Sequence, residues 1–89
     1  MKFSLEPELL KKIKAINKKN LKLSKKIQKQ LKFFRQDHNH PSLKNHKLKG
    51  KLSKSYSISI EGNLRMIYYF SEETAIFFDI GTHDEVYRK

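Results

Sequence analysis

The side chains able to move protons or grip phosphate are scattered along this chain. His83 stands near the end in "DIGTHDEVYRK", with Tyr87 four residues on. His46 lies in "KNHKLKGK" among Lys44, Lys47, Lys49 and Lys51, with Lys54 just beyond. Arg65 interrupts the apolar run "LRMIYYF". Imidazole is the side chain best suited to proton transfer near neutral pH. A guanidinium matches phosphate oxygens in a fixed fork. Each residue taken singly also has a plain explanation. His83 could be a surface histidine bonded to Asp84 or Thr82, His46 a loop histidine without a role, and Arg65 a solvated residue on an open sheet face. Taken together they are the parts needed to cleave RNA without a metal. A base takes the proton of a ribose 2′-hydroxyl, cations stabilise the charge gathering on phosphorus, and an acid protonates the leaving 5′-oxygen. Tyr87 would offer a ring for stacking an unpaired base. His38 and His40 form an H-x-H pair that invites a metal, but the chain has no cysteine and no third ligand at a recognisable spacing. No metal or cofactor is expected.

The elements that must position these groups divide the chain in two. Residues 1–36 carry twelve basic and two acidic side chains, residues 37–54 five and one, and residues 55–89 three and six. The formal charge of +11 therefore sits on the first half, as in a protein that docks onto a polyanion, or in one with a merely lysine-rich surface. Met1 to Leu5 could be an edge strand. Pro7 suits a first helical turn, with Glu6 and Glu8 at the positive end of the dipole. Leu9, Leu10, Ile13 and Ile16 follow at helical spacing. "NKKN" breaks the pattern, Asn20 is positioned to cap a second helix, and Leu23, Ile27, Leu31 and Phe34 make one apolar stripe. Residues 37–54 read as irregular chain around Pro41 and Gly50. "YSISI", "LRMIYYF" and "TAIFFDI" then read as three strands joined by tight turns at "EGN" and "SEE". The expectation is a single α+β domain over residues 1–89. Its basic two-helix hairpin packs on one face of a small antiparallel sheet, and the other face stays open. No apolar run approaches the ~20 residues that span a bilayer. "MKFSLEPELLKK" lacks the apolar core of a signal peptide. A soluble, cytoplasmic protein is expected.

The chain resembles the RelE/ParE superfamily of bacterial type II toxins, most closely its YafQ-like branch. The resemblance is carried by "HPSLKNHKLKGKLSKSYSISIEGNLRMIYYF" and by "IGTHDEVY". These are similar to the branch's His-x-Leu-x-Gly loop, its Arg-x-Ile-Tyr strand and its Gly-[Thr/Ser]-His ending with an aromatic four residues later. The resemblance implies a RelE-like fold and an endoribonuclease that cuts messenger RNA on the translating ribosome. A cognate antitoxin, expected to bind through an acidic segment, would hold it inactive. By position, His46 and His83 match the branch's histidines, Tyr87 its terminal aromatic, and Arg65 the strand arginine that some relatives set against the scissile phosphate. Lys44, Lys47, Lys49, Lys51 and Lys54 would bind RNA. The chain departs from the branch at Ser59, where a further histidine is common, and at Asn63-Leu64, in place of Asp-Trp. Two rival functions remain at this point. One is a ParE-like poison of DNA gyrase, against which "GTHDEVY" and "NHKLKG" argue; the other is a non-catalytic RNA- or ribosome-binding module.

Overall fold

Local sequence signals set the helix boundaries. In the computed structural model, which describes residues 1–87, Pro7 opens helix α1 (Pro7–Lys19), with Glu8 in its first turn and Lys18 and Lys19 in its last. Each charge thereby complements its end of the helix dipole. Asn20 caps helix α2 (Leu21–Gln36) as expected, its side-chain oxygen accepting the Leu23 N–H at 3.0 Å. Before α1 lies strand β1 (Phe3–Leu5). After α2 come a 3₁₀ turn at Pro41–Leu43, a two-residue strand β2 (His46–Lys47) and a second 3₁₀ turn at Gly50–Leu52. The chain continues through β3 (Ser55–Glu61), β4 (Leu64–Ser71), β5 (Thr74–Thr82) and a short helix α3 (His83–Tyr87).

The expected α+β architecture is present, with one sheet in the order β1-β5-β4-β3-β2. The meander β3-β4-β5 is antiparallel, and β2 extends it antiparallel to β3. The sheet as a whole is mixed, because β1 pairs parallel with β5. The turn between β3 and β4 uses Gly62 at φ +52°, a conformation costly for a residue with a Cβ.

Both helices cover one sheet face. Leu9 and Ile13 of α1 and Ile27 and Phe34 of α2 bury against Ile58, Ile60, Met66, Tyr68, Ala75 and Phe77. Phe34 is the hinge of this core, meeting Tyr68 and Phe77 edge-on at 5.1 Å each. Buried Gln30 also belongs to the inner face of α2. Its amide donates to the Ser59 carbonyl at 2.8 Å and to the Ser42 carbonyl at 3.2 Å, tying helix, sheet and loop together. Periodicity gave no warning of a buried polar side chain here.

The opposite face is not open as expected. Leu48 from the loop and Val86 from α3 close over Ile67 in a second buried cluster, flanked by Leu52, Phe78 and Tyr87. Burying such side chains is worth about 1.5–3 kcal/mol each, enough to hold a short loop and one helical turn down on the sheet. Arg65 shares this face and is only 8% exposed, which corrects the reading of it as a solvated or openly exposed strand residue. Among the described residues, no helix is long and apolar enough to cross a membrane.

Candidate functional site

Helix α3 is aimed by a reciprocal cap. The Thr82 N–H donates to Glu85 Oε1 at 2.8 Å, and the Glu85 N–H donates to Thr82 Oγ1 at 3.3 Å. This satisfies two otherwise orphaned donors, as a Thr-x-x-Glu sequence predisposes it to do. The His83 N–H donates to the Asn63 carbonyl at 2.8 Å, fastening the helix start to the β3–β4 turn. Gly81 lets the helix fold so close, since a Cβ there would lie 3.2 Å from the Glu85 Cβ and 3.3 Å from Val86 Cγ1. Four residues apart on one turn, the His83 and Tyr87 rings meet edge to face with centroids 3.9 Å apart.

The cap makes α3 sensitive to acid. Hydrogen bonds from the Thr82 N–H and then its hydroxyl hold the Glu85 carboxyl below the ordinary 4.5. A folded value below the unfolded one means that stability is present above the unfolded pKa and is lost as pH falls through the folded value. Thermal melts of wild type and Glu85→Gln across pH 3–7 should therefore converge at the acid end and separate toward neutrality, wild type being the more stable.

The second histidine is held by its loop. His40 starts the 3₁₀ turn, its Nδ1 accepting the Ser42 N–H at 3.1 Å, while its ring stacks on Phe33 at 4.1 Å. His38 packs edge-on to Phe34 at 6.2 Å. The H-x-H pair is thus engaged in packing and capping. Lys44 ends the turn in the left-handed region, at φ 46° and ψ 46°. Asn45 then anchors the chain, accepting from the Tyr68 hydroxyl at 3.0 Å and donating to the His38 carbonyl at 2.9 Å. Burial raises the Tyr68 phenol to about 12, so it remains a donor at neutral pH. These anchors register His46 opposite Ser57 and Lys47 opposite Tyr56.

The candidate groups meet on the face away from the helices. Arg65 Nε donates to Ser57 Oγ at 2.9 Å, and its Nη2 donates to the Lys44 carbonyl at 3.1 Å. Ser57 Oγ and the Tyr87 hydroxyl are 3.0 Å apart, and that hydroxyl is 3.0 Å from His46 Nε2. His46 Nδ1 lies 3.2 Å from the Lys44 carbonyl, against 3.5 Å from Arg65 Nη2. In the tautomer of the neutral ring that donates from Nδ1 to the Lys44 carbonyl, Nε2 is an acceptor. In that tautomer the chain can run one way, Arg65 donating to Ser57, Ser57 to Tyr87, and Tyr87 to Nε2. Arg65 Nη1 bonds to no described residue. No buried side-chain nitrogen or oxygen among the described residues lacks a partner, so Nη1 reaches the surface.

Tyr87 and His46 line a hollow of about 300 Å³ with Lys47, Leu48, Lys49 and Leu52. The His83 ring meets the Tyr87 ring but does not line the hollow. Of the five lysines expected to bind RNA, Lys47 and Lys49 reach it. Lys44 contributes its carbonyl, while Lys51 and Lys54 are exposed outside the wall. Sequence reasoning missed Ser57, the link between Arg65 and Tyr87. Its signal was the serine alternation in "SYSIS", which keeps small polar residues beside an arginine on the neighbouring strand.

A family model described as the YafQ bacterial toxin of type II toxin–antitoxin systems matches residues 1–88. No curated protein sequence matches. Among solved structures, the YoeB/ParE toxin from Agrobacterium tumefaciens superposes with a TM-score of 0.78 at 16% identity, covering 93% of this chain and 99% of its own. A chain of the YoeB–YefM complex from Staphylococcus aureus gives 0.76 at 24%, covering 93% and 97%. One of the E. coli DinJ–YafQ complex gives 0.73 at 16%, covering 96% of each. At these identities the structures support the fold, and the family assignment rests on the match along nearly the whole sequence: the chain belongs to the YafQ family of bacterial type II toxin–antitoxin toxins.

Proposed function

We propose that this toxin is a ribosome-dependent endoribonuclease, cutting messenger RNA by acid–base catalysis between His46 and His83. One observation carries the reading: both imidazoles contact Tyr87, one through its hydroxyl and one through its ring, beside a buried guanidinium and a lysine-lined hollow. In its Nδ1–H tautomer, His46 accepts the 2′-hydroxyl proton at Nε2 once substrate displaces the Tyr87 hydroxyl. The 2′-oxygen bonds to phosphorus, the bond from phosphorus to the 5′-oxygen breaks, and protonated His83 gives its proton to that oxygen. The products are a 2′,3′-cyclic phosphate and a 5′-hydroxyl. Arg65 Nη1, Lys47 and Lys49 oppose the charge that builds on the phosphoryl oxygens. Lys22, Lys25, Lys26 and Lys29 border a shallow groove on α2 and provide a surface for ribosomal phosphates.

The test is purified toxin on programmed ribosomes, with the message ends mapped. Cuts at defined codons with 5′-hydroxyl ends support the reading. Intact message on toxin-bound ribosomes leaves a binding module, and induction of the DNA-damage response in cells expressing the toxin points to gyrase. Docking should also weaken log-linearly with salt, by about 0.7–0.9 log units per log unit of salt for each phosphate neutralised. A flat response would reduce the lysines to solvation. The antitoxin of this type II system is proposed to neutralise it with an acidic segment across the basic half of the fold, folding as it binds.

A further inference from the structure

A second hollow, of about 280 Å³, lies on the helix side of β2 and shares only His46 and Lys47 with the site above. Its walls include Tyr56, Phe70, Asn39 and Asn45, together with His46 and Lys47, which also line the first hollow. The two-residue strand β2 is therefore the partition between the hollows. Its register explains this: side chains alternate across a sheet, so His46 shares the face of Ser57 while Lys47 shares that of Tyr56. Because β2 is the edge strand, nothing beyond it in the sheet prevents a chain from crossing there.

We infer that this second hollow is a nucleobase site, so that RNA crosses the sheet edge at β2 with the bases flanking the cut splayed to opposite faces, one on Tyr87 and its neighbour on Tyr56 and Phe70. The inference rests on the nuclease reading and adds to it a subsite for the adjoining nucleotide. Tyr56 lies against Tyr68 with ring centroids 5.3 Å apart and planes 18° from parallel, and Phe70 meets Tyr56 edge-on at 5.3 Å. Phe70 keeps 39% of its surface exposed, one of few large apolar side chains to do so. The polar groups divide into spent and available. Tyr68 and Asn45 satisfy each other, whereas the Tyr56 hydroxyl and the Asn39 side-chain amide bond to no described residue. An aromatic platform with unengaged donors and acceptors beside a lysine is what holds an unstacked base. The volume of about 280 Å³ falls just below the ~300–1,000 Å³ range of small-ligand pockets, suited to one base rather than to a folded segment. Splaying also serves the chemistry, since it unstacks the nucleotide step and lays the intervening phosphate along His46.

Photo-crosslinking on programmed ribosomes tests this. The message is 2′-O-methylated to block cleavage and carries a single 5-iodouridine, moved one position at a time through the codon presented to the toxin. The expected result is a crosslink to Tyr56 or Phe70 from one position and to Tyr87 from the adjoining one. Phe70→Ser, at a half-exposed site, should lower the first crosslink and flatten base preference at that position, by about 5- to 100-fold, the usual worth of one stacked base. Absence of any crosslink to Tyr56 or Phe70 overturns the inference. So does a Phe70→Ser variant with unchanged crosslinks and preference, including one that has lost only its hold on the antitoxin, in which case the surface belongs to that partner. Cleavage of unmethylated message is scored separately. Cutting without the Tyr56 or Phe70 crosslink removes the second base site alone, and the crosslink without cutting removes the nuclease reading alone.

Discussion

If the nuclease proposal holds, His83→Gln should lower cleavage on programmed ribosomes about 10²–10⁴-fold, the usual worth of a positioned acid or base, and should leave ribosome binding unchanged. The separation is expected because the imidazole has little structural duty. Its side chain is 54% exposed, and its Nδ1 lies 3.9 Å from an Asp84 oxygen that is itself in solvent. The bond that fastens α3 to the β3–β4 turn comes from the His83 backbone N–H, which glutamine keeps. Glutamine retains a comparable size and a polar tip but carries no proton to give at neutral pH. Stability should therefore stay within about 0.5 kcal/mol of wild type, as for ordinary surface changes. Growth arrest that survives His83→Gln at full potency would remove His83 from the reaction.

Arg65→Met should have a broader effect, on fold as well as rate. The guanidinium is 8% exposed and supplies hydrogen bonds to Ser57 Oγ and the Lys44 carbonyl. Methionine fills much of the volume but leaves both acceptors short of a charged donor, at a cost of about 1.5–3 kcal/mol. The Lys44 carbonyl belongs to a residue held in the left-handed region, so the loop carrying His46 loses one of the contacts that keep it there. If Arg65 faces the scissile phosphate as proposed, loss of its positive charge should cost a further 10²–10³-fold or so in cleavage, as for removal of one preorganised donor to a developing oxyanion. Urea titration reads the first effect and single-turnover cleavage at a temperature where the variant is fully folded reads the second. Wild-type turnover in folded Arg65→Met would show that the guanidinium only braces the loop.

Much of the architecture is legible along the chain because it depends on short-range physics. The caps at Pro7 and Asn20, the apolar stripe from Leu23 to Phe34 and the alternation in three strands each act over a few residues. The structure carries them as read. The covered second face was not legible, because Leu48, Ile67 and Val86 are separated by long stretches of chain and only folding makes them neighbours. The same holds for Gln30, which the stripe from Leu23 to Phe34 leaves out and which is buried because the Ser42 and Ser59 carbonyls are brought to it.

Residue type and order alone supply the groups: the two imidazoles, the guanidinium, the phenol of Tyr87 and a charge gathered on the first half. No fold could supply them. Their connections arise from folding. Ser57 links Arg65 to Tyr87, and Lys44 serves through its carbonyl while Lys51 and Lys54 stand outside the hollow. Hydrogen bonds between residues 30 and 41 positions apart depend on strand register and on the angle of one helical turn. Distances of that kind are set by the packing of the whole chain.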